Sequence, residues 1–485
     1  MTALPLTIGK IHFTGIGGIG MSGIAEILAD LGYDVQGSDI SENNNVRRLR
    51  DKGISIAIPQ KAENLDDVSI VVISTAIKPD NVELLAARAK FIPVVHRAEM
   101  LGELMRLRWS VAVAGTHGKT TTTSLVATLL DAAQIDPTVI NGGIIQSWGS
   151  NAKLGSGKWM VVEADESDGS FARLKPTAAI VTNIDPEHLD HHGTYENLEL
   201  AFENFVSSIP FYGFASLCID HVAVQRLLPK IRDRRLITYG ESVMADVRAV
   251  NIRHDHDHML FDLHLSDRLP VAEKTIQNMQ FPMLGMHNVQ NAMAAVSVAI
   301  EMGIDIQIIR QALANFKGVG RRFDIKGEAK GITVIDDYGH HPVEIKAALN
   351  AGRMKAHQNR LIAVIQPHRY SRLRDLFDDF CSCFNDADMV IVADIYAAGE
   401  QPIDGYRQAD LVAGLQAYGH RNCLALPASD GTAPDNTVSE LAQMIAEHAT
   451  EGDIVMCLGA GSITSWAAAL PKALDDILPK PRGAA

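Results

Sequence analysis

The sequence predicts an α/β protein made of three successive units, each built on a mostly parallel sheet. Three observations predict it. The chain has 485 residues, too many for one hydrophobic core and enough for about three domains of ordinary size. Short apolar runs alternate with longer helical patterns along its length. This rhythm restarts three times, each time with its own glycine-rich turn: Gly15-Ile-Gly17-Gly18-Ile-Gly20, Gly115-Thr-His-Gly118 and Gly459-Ala-Gly461.

The first unit opens with a strand from Lys10 to Thr14. A glycine turn follows, then a helix through Leu31, then a strand from Asp34 to Gly37 ending at Ser38 and Asp39. Apolar runs predict further strands at Ile70 to Ser74 and Pro93 to Val95, and a helical stretch from Ala98 to Arg106 leads to the strand Ser110 to Ala114 that begins the second unit. That unit continues through strands at Trp159 to Glu163 and Ala178 to Thr182 and a helix from Tyr195 to Ser208. From Asp246 to Leu265 the alternation has a period of two and predicts a half-exposed hairpin. Helices around Gln290 to Glu301 and ending at Phe316 lead to the basic step Gly320-Arg321-Arg322, and the third unit starts near Asp324. Its strands are expected at Thr333 to Ile335, Leu361 to Ile365, Met389 to Ala393 and Ile454 to Leu458.

Composition narrows the function. Apolar residues make up 47% and charged residues 21% of the chain, which suits a compact fold. The formal charge of −14 argues against nucleic acid as a partner, because a polyanion binder presents a cationic face. An anionic ligand must then meet local basic groups or backbone amides. The five cysteines, Cys218, Cys381, Cys383, Cys423 and Cys457, have no pairing rhythm, so a reducing cytoplasm is expected. Met1 to Phe13 lacks a basic segment followed by an apolar one, and no window reaches the ~18 apolar residues of a membrane span, so neither export nor a membrane partner is expected.

The first glycine turn lies between a strand and a helix, where backbone amides and the helix dipole can cradle a diphosphate. Asp39, at the end of the next strand, is placed to accept from a ribose. Alone, this pattern suggests a nicotinamide dehydrogenase or an empty tight turn. The stretch Ala112-Val-Ala-Gly115-Thr116-His117-Gly118-Lys119-Thr120-Thr121 decides for a nucleotide triphosphate, since its amides can wrap phosphate oxygens, Lys119 can neutralise them and Thr120 can ligate magnesium. It departs from the common spacing, with Val113 in the place of the first glycine. Glu163 and His188 each follow a strand of the same unit, and strand ends converge where such a loop lies. Thr120, Glu163 and His188 are therefore the candidate magnesium ligands. Two other features read as structure: His254, His256 and His258 as a solvated hairpin tip, and Gly459 to Ser462 as a tight strand-to-helix turn.

Together these residues resemble the Mur ligase family. The resemblance extends through Gly285-Met-His287-Asn288-Val-Gln-Asn291, Arg321-Arg322-Phe323, Asp336-Asp337-Tyr338-Gly-His340-His341-Pro342 and Gln366-Pro-His368-Arg369-Tyr-Ser-Arg372. It implies a Rossmann-like domain over residues 1–107, a central P-loop ATPase-like domain over 108–323 and a second Rossmann-like domain over 324–485. It also implies ATP-dependent joining of L-alanine to the lactyl carboxylate of UDP-N-acetylmuramate, with ATP and Mg2+ as cofactors, and leaves a homo-oligomer open. On this resemblance Gly15, Gly17, Gly18 and Gly20 hold the substrate diphosphate rather than a dinucleotide. Asn288 and Asn291 lie near the adenine, Arg322 near the phosphates and Asp337 near the ribose. Tyr338, His340, His341, His368, Arg369 and Arg372 surround the amino acid and the lactyl carboxylate. Glu203 falls where sister ligases present a carbamylated lysine, so it is a candidate anionic partner for magnesium. Two rivals stand beside this reading: a ligase that attaches a whole tripeptide to the same nucleotide sugar, and a nucleotide-binding regulator without chemistry.

Overall fold

The structure is a computed structural model that describes residues 8–427 and 436–477. Its first sheet is wholly parallel and holds β1 (Lys10–Thr14), β2 (Val35–Ser38), β3 (Ser55–Ala57), β4 (Val68–Ile73) and β5 (Val94–His96) in the order β3-β2-β1-β4-β5. Helices α1 (Ile19–Asp30), α2 (Asn44–Asp51) and α3 (Val82–Ala89) lie in its crossovers, and α4 (Arg97–Met105) leads from β5 to the second sheet. Parallel strands covered on both faces read as continuous apolar runs, and Ile11 and Phe13 of β1 are fully buried. Helix α2 is short and mostly polar; it buries Val46 and Leu49, one turn apart, and the Asn43 side chain caps it at Val46 N–H.

The second sheet has ten strands: β6 (Trp109–Ala114), β7 (Thr138–Ile145), β8 (Ser150–Lys153), β9 (Trp159–Glu163), β10 (Ala178–Val181), β11 (Phe214–Cys218), β12 (Arg235–Gly240), β13 (Val247–Asp255), β14 (His258–Leu265) and β15 (Thr275–Phe281). Their order is β15-β14-β13-β12-β11-β10-β6-β9-β7-β8. Strand β6 runs parallel to both neighbours, β9 and β10, so the loops after all three emerge at one edge. The expected hairpin is β13 and β14, with His256 at its exposed tip in a left-handed conformation (φ 50°). Helices α5 (Lys119–Ala132), α6 (Leu189–His192), α7 (Tyr195–Ser207), α8 (Val222–Leu227), α9 (Met286–Glu301) and α10 (Ile306–Ala314) complete the stretch.

The third sheet holds β16 (Asp324–Ala329), β17 (Ile332–Asp337), β18 (Leu361–Ile365), β19 (Met389–Val392), β20 (Cys423–Ala425) and β21 (Ile454–Leu458), ordered β16-β17-β21-β18-β19-β20. All its pairings are parallel except the edge pair β16 and β17. Its residues alternate between two cores: Leu361, Ala363 and Ile365 face one, Ile362 and Val364 the other. Burial on both faces is what the period-two geometry of a strand imposes. The helices are α11 (Pro342–Ala356), α12 (Tyr370–Asp375), α13 (Phe377–Ser382), α14 (Gln408–Ala417), α15 (Thr437–His448) and α16 (Ile463–Ile477).

Chain contacts group these sheets into two compact units. The chain to Ile252, with Leu260–Phe281 and Gln290–Lys317, forms one; Arg253–Met259, Pro282–Val289 and the chain from Gly318 onward form the other. The first two sheets therefore share a unit. All five cysteines are buried and unpaired, and among the described residues no helix is long and apolar enough to cross a membrane.

Candidate nucleotide-dependent active site

The first glycine turn is fastened from below. Gly15 takes φ 77°, and the N–H groups of Gly15 and Ile16 both donate to the Ser38 carbonyl at 2.8 and 2.9 Å. Asp39 is buried, and its carboxylate accepts from the Gly17 and Ile40 N–H groups, each at 2.8 Å. It thus serves as an anchor of the turn, in addition to any role toward a ribose. A Cβ on Gly17 would stand 2.5 Å from Asn43 Nδ2 and 2.8 Å from Asp39 Oδ2, so the position has no room for a side chain. A Cβ on Gly20 would stand 2.9 Å from an Arg97 guanidinium nitrogen. Gly18 is the N-cap of α1 and brings no capping side chain, which leaves the first amides of the helix to a ligand.

The second loop follows β6, and Gly118 (φ 83°) is the N-cap of α5. Asn291 packs its side-chain oxygen against the Gly118 α-carbon and accepts from the Thr122 hydroxyl at 3.2 Å. Gly115 (φ 133°) lies so close to Thr182 that a Cβ there would overlap the hydroxyl. The strand end after β10 holds the rest of the loop. His117 N–H donates to Asn183 Oδ1 at 2.7 Å, and the Thr116 hydroxyl accepts from Asp185 N–H at 2.9 Å. The His117 ring lies between two acids, 3.5 Å from Asp185 and 3.4 Å from Glu187. Thr120 and Thr121 are buried in the first turn of α5.

Lys119 folds back beneath this loop. Its ammonium donates to the Gly115 carbonyl at 2.7 Å, the Thr116 carbonyl at 3.0 Å and Glu166 Oε1 at 2.9 Å. Burial disfavours the charge, but Glu166, Asp165 and Glu163 together raise the lysine pKa above its ordinary value, so it stays cationic. Burial and neighbouring Asp165 push Glu166 upward against the pull of Lys119. Asp165 is only half-buried, and against the desolvation that would raise it Lys119 and Arg97 hold it down at about 2.

Glu163, at the end of β9, is half-buried, and one carboxylate oxygen accepts from Gly142 N–H at 2.8 Å. A Cβ on Gly142 would fall 2.5 Å from both carboxylate oxygens, so this glycine leaves the space in which the carboxylate is held. His188, in a left-handed conformation (φ 57°) before α6, comes within 4.0 Å of Glu166. A hydroxyl at a helix start and a glycine-cradled carboxylate are each oxygen groups of the kind a hard divalent cation takes. Glu203 lies on α7 and pairs with Lys230 at 3.4 Å.

The other compact unit gathers its own set. Asp337 ends β17, and its carboxylate accepts from Phe323 and Gly339 N–H, each at 2.8 Å; burial pushes its pKa up to about 6, against the pull of Arg322. The guanidinium groups of Arg321 and Arg322 lie 4.6 and 5.1 Å from the centre of the Tyr338 ring, close enough for cation–π attraction. His340 Nδ1 meets the Tyr338 carbonyl at 3.0 Å, and burial lowers its pKa to about 3. His368 stacks on Tyr396 with centroids 5.4 Å apart, and burial lowers it to about 4. Arg372 reaches the His368 carbonyl at 3.3 Å, and Arg369, with φ 71°, turns the chain into α12. The rings of Tyr338, His340, His368 and Tyr396 form a contiguous row, whereas His341 caps α11 by accepting from Val343 N–H at 3.3 Å. Asn288 is buried and donates to the Leu284 carbonyl at 2.8 Å. Neutral imidazoles beside permanent cations suit a carboxylate ligand and an amine that must lose its proton.

Sequence reasoning singled out the loop residues but not Glu166, Asp185, Glu187 or Tyr396. Glu166 sat within a run of acids without a signal to set it apart, and Tyr396 is brought to His368 only by strand pairing.

Comparison with known proteins gives three successive matches to family models. They are the Mur ligase family catalytic domain over residues 10–109, the Mur ligase middle domain over 113–299, and the Mur ligase glutamate ligase domain over 321–461. The UDP-N-acetylmuramate–L-alanine ligase of Rhodospirillum centenum is 60% identical over 98% of this chain and 96% of its own. That of Rhodospirillum rubrum is 58% identical over 98% and 97%. Among solved structures, the UDP-N-acetylmuramate-alanine ligase of Thermotoga maritima matches with a TM-score of 0.80 at 28% identity, covering 96% of this chain and 98% of that one. A murein peptide ligase of Psychrobacter arcticus shares the fold, with a TM-score of 0.70 at 24% identity over 97% and 100%.

Proposed function

The chain belongs to the Mur ligase family, and from that premise we propose that it joins L-alanine to the lactyl carboxylate of UDP-N-acetylmuramate with cleavage of ATP to ADP and phosphate. The observation that carries this reading is Lys119, a buried cation held under a glycine loop between a parallel strand and a helix. Near-full-length similarity to ligases named for that reaction supports the choice of substrates. This is a step in making peptidoglycan precursors. A cytoplasmic setting, where nucleotide substrates are made, agrees with five unpaired cysteines. We place the domain boundaries at 107/108 and 323/324, just before β6 and β16.

A carboxylate is a poor electrophile, since its charge repels an amine and oxide cannot leave. In the proposed mechanism a lactyl oxygen attacks the γ-phosphorus of ATP, the bond to the bridging oxygen breaks, and ADP departs from an acyl phosphate. Lys119 moves from Glu166 to the terminal phosphates, where its charge meets the charge that develops on the transferred group. Thr120, Glu163 and His188 would hold magnesium, which supplies further neutralisation. Gly15, Gly17, Gly18 and Gly20 hold the substrate diphosphate, and Asn288, Asn291, Arg322 and Asp337 hold the nucleotide. Tyr338, His340, His341, His368, Arg369 and Arg372 receive the amino acid and the lactyl carboxylate. Its neutral nitrogen attacks the acyl carbon, and the tetrahedral intermediate collapses with loss of phosphate. No protein nucleophile takes part, so catalysis comes from positioning and electrostatics.

Phosphate release measured with L-alanine, glycine, L-serine and a tripeptide tests the reading. Turnover should need both UDP-N-acetylmuramate and L-alanine, and oxygen label placed in the lactyl carboxylate should appear in the released phosphate. Preference for the tripeptide, or label-free phosphate, overturns it.

A further inference from the structure

A fully buried asparagine ties the helix start in the first ligand loop to the hairpin beside the second. Asn151, on β8, donates from Nδ2 to the carbonyl of Ile19 at 2.8 Å, and Ile19 is the first residue of α1 after the glycine turn. The same nitrogen reaches the Asn141 carbonyl on β7 at 3.4 Å. Its Oδ1 accepts from Arg48 of α2 at 2.6 Å, and Asn45 of the same helix donates to the Gly17 carbonyl at 2.9 Å. Helix α1 rests on this hairpin at glycine distance, because a Cβ on Gly23 would stand 3.1 Å from Asn151 Nδ2 and 3.5 Å from Ala152 Cβ.

On its other side β7 leads into the phosphate site. The peptide after the Asn141 carbonyl carries the Gly142 N–H that holds Glu163. The Asn141 side chain donates to the Ser124 hydroxyl at 2.9 Å, which in turn donates to the Thr120 carbonyl at 2.8 Å. A buried amide that lost these partners would carry a desolvation cost, so the contacts on both sides are held together.

We infer that Asn151 is a positioning residue that couples the nucleotide-sugar cradle at Gly15 to Gly20 with the phosphate-transfer site at Thr120 and Glu163. The inference rests on the function proposed above. A ligand that fixes the first turn of α1 fixes Ile19, and through Asn151 it fixes β7 and the carboxylate that β7 holds. Coupling of this kind is reciprocal, so each ligand should tighten the other.

Calorimetry with UDP-N-acetylmuramate and a nonhydrolysable ATP analogue, both with magnesium, tests it on the full chain. In the unaltered protein each ligand should bind at least ~5-fold tighter when the other is present. In Asn151→Ala that factor should fall below ~2, with single-ligand affinities within ~3-fold of the original. Turnover should drop while the KM for L-alanine is unchanged. Ser124→Ala interrupts the same connection with little loss of volume and should also lower the factor, so it decides the matter if the asparagine variant does not fold. An unchanged factor in a folded variant, or loss of both single-ligand affinities with the factor intact, overturns the inference. So does independent binding of the two ligands by the unaltered protein, which leaves the proposed function standing. Failure to bind UDP-N-acetylmuramate at all overturns both.

Discussion

Glu83 has no solvent exposure, and its carboxylate is met by His12 at 3.1 Å, Thr14 at 2.8 Å, Ser38 at 2.6 Å and Asn64 at 2.8 Å. Burial would raise its pKa, but the bonds from His12, Ser38 and Asn64 prevail and hold it down at about 2. An unfolded glutamate titrates near 4.3, so the unfolded chain binds the extra proton and stability falls with pH between about 4 and about 2, by roughly 3 kcal/mol from this group. Urea midpoints measured from pH 6 downward should show Glu83→Gln less stable at pH 6 but with a shallower acid loss than the unaltered protein. Glu166 makes a different prediction. Glu166→Gln keeps the shape but removes the charge that locates Lys119, so turnover should fall by about 10- to 100-fold while UDP-N-acetylmuramate affinity is unchanged, as steady-state kinetics beside calorimetry will show. Lys119 was legible from its spacing to glycine and threonine. Glu166 was not, because it is one of four acids in the run from Glu163 through Asp168 and only the turn after β9 selects the one that returns under the loop.

Strands with uniform apolar runs, such as β9, β10, β18 and β21, were legible to within a residue because both their faces are buried. The β7–β8 hairpin escaped notice. Its sequence carries asparagines, glycines and serine where a strand signal expects branched side chains, and those residues are what let α1 and Glu163 approach it. The capping task of His341 was not legible in the sequence, which offered it only as a substrate residue, whereas it caps α11 together with Glu344. If capping is its main task, His341→Asn should keep stability within ~0.5 kcal/mol, whereas His341→Ala should lose about 1 kcal/mol. Thermal unfolding of the two variants, set beside their KM for L-alanine, separates a capping role from a binding one.

The three-sheet plan was legible because the apolar rhythm restarts three times and each unit carries its own glycine turn. The grouping into two compact units was not, since the segments Arg253–Met259 and Pro282–Val289 leave their sequence neighbours to join the later unit. The third sheet has its own two cores, so residues 324–485 expressed alone should fold cooperatively; a sigmoidal urea transition and an ordered near-UV spectrum would demonstrate it. Strand order in that sheet has a consequence for how the chain is made. Strand β21 lies between β17 and β18, though it is the last of the six to be synthesised. While the ribosome is still translating the stretch before Ile454, the nascent sheet has a gap at its centre with two unpaired strand edges facing it, and such edges recruit other chains. A pause in translation upstream of β21 therefore prolongs the interval in which those two edges stand open to other chains.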